Sequence, residues 1–237
     1  MKKITRALLV GISAFVALGT LSACSGGTSN QATSSSEAPT TTATTTAPTA
    51  FPASARYVAD MTAPDGKTMT IGISVDGDQV AAYACNGTDD EAWFFGNQAD
   101  GKIDIKSRFR DTLNAEFDGA NVEGDLNMNG VAYQFTAAPV SGEAGMYTAE
   151  LDGIRASWVV REDGSAIGVQ FGTSSVGDIT QAEIQQLNDA QFRTEVRNKR
   201  QLQQAQQITR LSTGKMSSKI NGQDVTPTLV NGSFRLG

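Results

Sequence analysis

The chain has 237 residues, a net charge of −6 and no histidine. Without histidine, a Ser-His-Asp or Cys-His catalytic centre is excluded, and the commonest zinc ligand is missing. The negative charge is concentrated in residues 55–172. This distribution disfavours nucleic acid as a partner, because an acidic surface repels phosphate.

Residues 1–23 have the features of a removable export signal. Lys2, Lys3 and Arg6 form a basic start, and residues 7–21 are mostly apolar. This apolar stretch is too short and too weakly hydrophobic to span a bilayer stably. It leads into an apolar residue and two small residues before a cysteine, namely Leu21, Ser22, Ala23 and Cys24.

These four residues resemble the lipobox of bacterial lipoproteins, with Cys24 as the lipidated residue. The resemblance implies that a diacylglycerol is attached to the Cys24 thiol and that a signal peptidase cuts before it. The acyl chains would then hold the protein on the extracytoplasmic face of the cell membrane. The alternative is an ordinary signal peptide, or an uncleaved N-terminal helix, that ends in a cysteine by chance.

Residues 24–54 are predicted to be a disordered tether. After Cys24 the segment is dominated by Ser, Thr, Ala and Pro, with little apolar bulk before Phe51. It buries too little surface to offset the entropy of ordering the chain. At roughly 5–6 Å × √n, about thirty such residues span about 30 Å. The composition is also typical of O-glycosylated stalks, although a plain solvated linker has the same features.

A regular series of turn signals runs through residues 55–172, which we interpret as one β-domain. Asn-Gly and Asp-Gly pairs favour tight hairpin turns because both residues tolerate positive φ. A further turn is expected at Arg110, in the longest interval. The residues that precede a turn glycine are Asp65, Asp76, Asn86, Asp100, Asp118, Asn129, Ser141, Asp152 and Asp163.

Between the turns, apolar and polar residues alternate with the period of a β-strand. Ile71 and Ile73, for example, alternate with Thr70 and Ser74, which are expected on the solvent face together with the domain's acidic side chains. The predicted fold class is mainly β. We expect an antiparallel meander of about ten strands that curls into a small barrel or a two-sheet sandwich.

The β-domain also resembles a domain of actinobacterial envelope lipoproteins. The segments that carry this resemblance are 80–87, 91–94, 144–147 and 158–160. It implies a location in the cell envelope and no known activity.

Three features of the β-domain suggest chemistry, and each has a simpler interpretation. Cys85 has no partner in the chain if Cys24 is lipidated, and its acidic neighbours oppose a low thiol pKa, so it is interpreted as a packing residue. Residues 89–91 are acidic but lack the spacing of a calcium loop. The aromatic residues 93–95 cannot all point inward on one strand, so one or two are expected at a barrel mouth or an edge.

Residues 173–237 are predicted to form a helical appendage and a short hairpin. The spacing of Thr180 and Glu183 fits a capping box, and no Pro or Gly follows before Leu211. This pattern predicts one helix of about 30 residues, or two with a break near Asn198. The terminal residues contain two Asn-Gly pairs and predict a hairpin around Pro227.

The C-terminal helix has two interpretations. It packs along the β-domain or plugs one end, or it binds a partner or a second copy. Several basic residues could instead pair with the acidic face of the β-domain. These residues are Arg193, Arg197, Lys199, Arg200 and Arg210.

No pattern indicates an enzyme or a cofactor, because the many carboxylates include no distinctive pair. The first functional hypothesis is a non-catalytic envelope lipoprotein that acts through contacts with an envelope protein or the cell wall. The alternative is a carrier that holds a small apolar ligand, such as a lipid, inside the β-domain. The cavity would be lined by Ile71, Ile105, Phe117, Phe135 and Trp158.

Overall fold

The computed structural model describes residues 49–172 and 181–236. The export signal, the lipobox with Cys24, most of the predicted tether and Thr180 lie outside the described residues. The described part is mainly β, which confirms the predicted fold class. None of its helices is both long and apolar enough to cross a membrane.

Eight antiparallel strands in chain order form a closed barrel. The barrel alternative is therefore confirmed, although it uses eight of the predicted strands and not all ten. The strands are β1 (Ser54–Thr62), β2 (Thr68–Asp76), β3 (Gln79–Cys85), β4 (Glu91–Ala99), β5 (Lys102–Lys106), β6 (Thr112–Phe117), β7 (Val122–Met128) and β8 (Val131–Pro139).

The turns lie where the sequence predicts them. At the β7–β8 turn, Asn129 and Gly130 have φ of 52° and 79°, a left-handed pair that Asn-Gly adopts at low cost. Arg110 also has a positive φ of 64°, in the interval where the sequence predicts an extra turn. Local turn chemistry thus sets the length of each hairpin.

The barrel consists of two four-stranded halves that are joined at only one end. Strand β4 pairs with β5 only at Gln98↔Ile103 and Ala99↔Lys102. Strand β1 pairs with β8 only at Tyr57↔Pro139 and Val58↔Ala138. Both seams lie near the turns at 77–78, 100–101 and 118–121, which we call the paired end. The opposite end, called the split end, has the turns 63–67, 86–90, 107–111 and 129–130.

Hydrophobic side chains from all eight strands fill the barrel interior. At the paired end Phe51 packs beneath the strands. Its ring stacks on Phe117 with a centroid distance of 4.8 Å and meets Tyr57 edge-on at 6.0 Å. The packed region therefore includes Phe51, which precedes the boundary at residue 55 that the sequence indicated.

A second sheet lies over the outer face of the first barrel half. In the order of the sheet, its five strands are β12 (Leu202–Gln204), β11 (Ala166–Gly172), β10 (Ile154–Val160), β9 (Gly145–Leu151) and β16 (Thr228–Leu229). Met146 packs directly on Gly72, where the missing side chain permits close approach.

This second sheet corrects the expectation of one wet face on every strand. Strand β2 is buried at seven consecutive residues. Thr70 and Ser74, expected in solvent, are 3% and 1% exposed. Ser74 Oγ donates a hydrogen bond to Val230 O at 2.9 Å, so its hydroxyl is satisfied under the covering layer. Alternation predicts strands but does not tell whether the polar face will be covered.

The predicted long C-terminal helix is wrong. The described chain has two short helices, α1 (Gln181–Gln186) and α2 (Asp189–Glu195), and a 3-10 turn at Arg197–Lys199. It then continues as strand β12 along the edge of β11. Tertiary contacts override helix propensity here, because Trp158 Nε1 donates to Gln206 O at 2.9 Å and fixes this stretch in an extended path.

The predicted hairpin is displaced. The remaining strands are β13 (Thr209–Arg210), β14 (Met216–Ile220) and β15 (Gln223–Val225), which form a three-stranded sheet. The hairpin turn uses Asn221 and Gly222, with φ of 51° and 80°. Pro227 is not at a hairpin turn, since the residues after it pair with β9 as strand β16.

We expect Phe51→Ala to lower the free energy of unfolding by about 3 kcal/mol, because it removes a buried ring and leaves a cavity below Phe117. Thermal or urea unfolding of the purified chain measures the change. Pro52→Ala is the control, since the neighbouring Pro52 is exposed. Equal stability of the two variants would show that Phe51 does not contribute to the core.

Candidate functional site

The most distinctive polar cluster is at the split end of the barrel, where Arg197 joins the two halves. Its Nη1 lies 2.7 Å from Asp90 Oδ1, in the β3–β4 turn of the first half. Its Nη2 lies 3.1 Å from Asp111 Oδ1, in the β5–β6 turn of the second half. The Arg197 side chain is only 2% exposed. One buried guanidinium therefore bridges strands that share no backbone pairing at this end.

Asp111 is held in place independently of Arg197. Its Oδ2 accepts a hydrogen bond from Ser107 Oγ at 3.0 Å, within its own turn. Its Oδ1 accepts one from the Asn129 backbone N–H at 3.0 Å. Asp111 thus ties the β5–β6 and β7–β8 turns together, and it presents a fixed acceptor to Arg197.

Arg200 completes the cluster. Its guanidinium carbon lies 4.0 Å from the centre of the Phe109 ring, and its Nη1 donates to Glu91 O at 3.1 Å. Its Nη2 is 3.6 Å from Asp90 Oδ1 and has no hydrogen-bond acceptor among the described atoms. We call Asp90, Asp111, Arg197 and Arg200 the split-end cluster.

Burial dominates the electrostatics of the split-end cluster. The pKa of Asp90 is raised by loss of solvent, in spite of the opposing charge of Arg197 at 2.7 Å. The pKa of Arg200 is lowered by burial and by repulsion from Arg197. Each ion therefore depends on its partners, and removing one would leave an uncompensated buried charge.

A second buried pair links the barrel to the covering sheet. Arg155 Nη2 on β10 lies 2.9 Å from Glu91 Oε1 at the start of β4, and the side chains are 11% and 2% exposed. Arg155 also lies over the Phe171 ring, 5.5 Å from its centre. The expectation that the acids of the β-domain are exposed to solvent is therefore wrong for Glu91 and Asp111, which are 2% and 3% exposed.

The helices are fastened to the split end by Arg110. Its Nη2 donates to Ile184 O at 2.8 Å, and its Nη1 donates to Leu187 O at 3.0 Å. Its guanidinium lies 4.3 Å from the centre of the Phe192 ring. The C-terminal segment therefore packs against the barrel, as one of the two sequence interpretations expects.

The predicted pairing of C-terminal basic residues with the acidic domain is confirmed in part. Arg197 and Arg200 meet Asp90, and Arg210 Nη2 lies 2.6 Å from Glu143 Oε1. Arg193 and Lys199 form no ion pair within the described ranges. The sequence indicated only that this segment is rich in basic residues. Which of them form ion pairs depends on the fold.

A cleft of about 650 Å³ opens beside the split-end cluster. Met69, Met128 and Tyr133, which are buried side chains of the barrel core, are among its lining residues. Arg197 separates this cleft from a smaller cavity of about 160 Å³ under Phe192. The polar rim of the cleft includes Lys67, Asn86, Thr88, Asp89 and Asn198.

The five residues predicted to face a ligand do not form one site. Ile71, Ile105, Phe117 and Phe135 share the barrel interior. Trp158 lies elsewhere, on the far side of the covering sheet with Ile208 and Met216. The reason is that β10 is not a barrel strand. None of the five residues lines the cleft at the split end.

Cys85 lies beneath the covering sheet and is fully buried. Burial raises the pKa of its thiol to about 12, so the thiol is protonated at neutral pH. The neighbouring aromatic residues do not all point inward, as predicted, but those on the outer face lie under the covering layer and not at a barrel mouth or an edge. Phe94 points into the barrel, whereas Trp93 stacks with Phe95 on the outer face at 5.4 Å. These groups therefore serve packing.

Neither a group of metal-binding side chains nor a similar protein indicates a further site. Within residues 49–172 and 181–236, no three His, Cys, Asp or Glu side chains are grouped as metal ligands. Neither known protein families, nor curated proteins, nor solved structures gave a match to this chain.

Arg197→Gln should lower the free energy of unfolding by about 3–5 kcal/mol, since it leaves the buried carboxylate of Asp111 and the partly buried one of Asp90 without their cation. Denaturant unfolding measures this loss. Lys199→Gln, in the same 3-10 turn but exposed, is the matched control and should be nearly neutral. Similar stabilities for the two variants would contradict a bridging role for Arg197.

Proposed function

We propose that this protein is a lipid-anchored protein of the bacterial cell envelope whose folded domain is a non-catalytic interaction module. The resemblance of residues 21–24 to a lipobox supports the anchor at Cys24. The Ser-, Thr- and Pro-rich segment that follows supports a flexible tether between the membrane and the barrel.

The observation that carries the interaction role is the contrast between the two barrel halves. The outer face of β2 and β3 is buried, but β5, β6 and β7 alternate between buried and exposed residues. The second half therefore presents a broad polar face to solvent. We call this surface, the outward side of β5–β8, the polar face.

The polar face has the chemistry of a hydrogen-bonding surface. Strand register aligns Asp104, Asn114, Asp125 and Gln134 in one row across four strands. Carboxylate and amide groups in a row suit a polar partner, such as an envelope protein or a cell-wall polymer, more than an apolar one. Nucleic acid is disfavoured by the acidic groups.

Several features support a role without catalysis. The buried acids Glu91 and Asp111 and the partly buried Asp90 are paired with arginines, which serves structure more directly than proton transfer. The Cys85 thiol is buried and protonated, which disfavours a nucleophile. The lack of histidine in the sequence removes the usual general base.

The anchor is tested by Cys24→Ala in the full chain expressed in its own host. Loss of the acyl chains should shift the protein from the membrane fraction to the soluble fraction or leave a larger precursor. Thr28→Ala, in the same segment, is the control. Unchanged size and membrane retention of the Cys24 variant would contradict the lipid anchor.

The interaction role is tested with a photo-crosslinking amino acid at Gln134, on the polar face. The matched control is Gln223, an exposed strand glutamine on the three-stranded sheet. We expect a specific adduct from Gln134 alone, and its loss with Asp125→Lys on the neighbouring strand. Equal adducts at both positions, or none at either, would contradict an interaction through this face.

A second candidate function, a carrier of a small apolar ligand, is favoured by one observation. Three buried residues of the barrel core, Met69, Met128 and Tyr133, are among the lining residues of the cleft at the split end. Its volume of about 650 Å³ is within the range of ligand-binding pockets.

A further inference from the structure

We propose that the small cavity under Phe192 binds a phosphate group. This cavity of about 160 Å³ lies at the split end, between helix α2, the ends of β5 and β7, and the β5–β6 and β7–β8 turns. The inference goes beyond the proposed interaction role, and neither depends on the other. The sequence patterns did not indicate this site.

Cationic side chains outnumber carboxylates around the small cavity. Among the described residues, four cations and two carboxylates line it. Arg110 lies 2.9 Å from Asp189. Arg197 lies 3.1 Å from Asp111. Both lining carboxylates are therefore already paired, and two positive charges of the lining remain without an acidic partner.

These two charges belong to Lys106 and Arg193. Neither side chain forms an ion pair within the part of the chain that the structure describes. Lys106 is exposed at the end of β5, and Arg193 is partly exposed in the last turn of α2. Both are therefore within reach of a ligand from solvent, and their field attracts an anion.

The surrounding structure holds Arg193 beside the β7–β8 turn. The preceding residue, Phe192, is 2% exposed, and its ring lies 4.3 Å from the Arg110 guanidinium. A Cβ atom on Gly130 would clash with Arg193 Nη1, so this glycine leaves the room that the guanidinium occupies. Because helix and turn already restrict the side chain, less entropy is lost when it binds.

The size of the cavity suits a phosphate group. At about 30 Å³ for each water, its volume of about 160 Å³ is the room of about five waters, and phosphate has five non-hydrogen atoms. Pockets for drug-sized ligands begin at about 300 Å³, so a sugar ring would extend outside. Asn127, exposed on β7, also lines the cavity and supplies an uncharged N–H donor.

Charge favours phosphate over a carboxylate. A phosphate monoester carries about −1.5 to −2 charges at neutral pH, which matches the two unpaired cations. A carboxylate carries one charge and would leave one cation without a partner. The fork of Arg193 can donate two hydrogen bonds to phosphate oxygens, and Lys106 adds a point charge.

The acidic row of the polar face opposes this site only weakly. Asp104 and Asp125 do not line the cavity. They lie two residues before Lys106 and Asn127 on β5 and β7, which is about 7 Å along each strand. Because both carboxylates are exposed, water weakens their repulsion. Direct contact with Lys106 and Arg193 therefore dominates for a bound oxyanion.

The experiment is a calorimetric titration of the full chain in a non-ionic detergent, at neutral pH and constant ionic strength. The ligands are inorganic phosphate, glycerol 3-phosphate and acetate. We expect saturable binding of phosphate at one site and about tenfold weaker binding of acetate, which can satisfy only one of the two cations.

Glycerol 3-phosphate distinguishes the two sources of a phosphate group. Affinity equal to that of inorganic phosphate indicates a phosphate carried by a larger molecule, whose remainder stays outside the cavity. Binding of inorganic phosphate alone indicates the free ion. Either result supports the phosphate site.

Variants locate the binding to this cavity. Arg193→Gln and Lys106→Gln should each weaken phosphate binding about tenfold, whereas Arg193→Lys keeps the charge and should lose less. Lys102→Gln on the same strand and Lys199→Gln in the 3-10 turn are the matched controls, because both lysines are exposed and lie outside the lining. None of these side chains is buried, so the variants should keep the fold.

The proposal is wrong if neither phosphate compound binds saturably or if acetate binds as tightly as phosphate. It is also wrong if the control variants lose as much affinity as the Arg193 and Lys106 variants. None of these results bears on the crosslinking or membrane-fractionation experiments, so the phosphate site and the interaction role are judged separately.

Discussion

The bridge from Arg197 to Asp90 and Asp111 holds the end of the barrel where backbone hydrogen bonds between the halves are missing. Elsewhere the halves are joined by short seams and by interior packing. Such a bridge requires that each charged group be held close to its partner, because burial disfavours every charge and only close pairing offsets the free energy of desolvation. Asp111 meets this requirement through its contacts with Ser107 and the Asn129 backbone.

The same bridge explains the path of the C-terminal segment. Arg197 can reach both turns only if the chain lies across the split end, and Arg110 fastens the preceding helices there. Beyond Arg200 the chain must then run beside β11, where an unpaired edge accepts it as β12. The ion pairs of Arg197 and the pairing of β12 with the edge of β11 therefore hold this segment in a path that a long helix, which its composition favours, could not follow.

The two barrel halves have different environments, and the proposed interaction role depends on this difference. The first half is covered by the second sheet, so its outer residues, including Tyr83, Cys85 and Trp93, belong to a second core. The second half keeps its outer polar side chains in solvent. The cleft lies at the split end, between these regions. The polar face, which is the proposed interaction surface, and the cleft therefore lie in separate parts of the domain.

The sequence by itself determined the strands, the turns and the mainly β fold, because period-two alternation and Asn-Gly or Asp-Gly pairs act within a few residues. Only the tertiary structure decided which strands close the barrel, that Thr70 and Ser74 are covered, that Trp158 lies outside the barrel, and that residues 202–204 form a strand. These features depend on contacts between segments far apart in the chain, such as Arg197 with Asp90. Local propensity carries no information about such contacts, since their energies arise only when the surfaces meet.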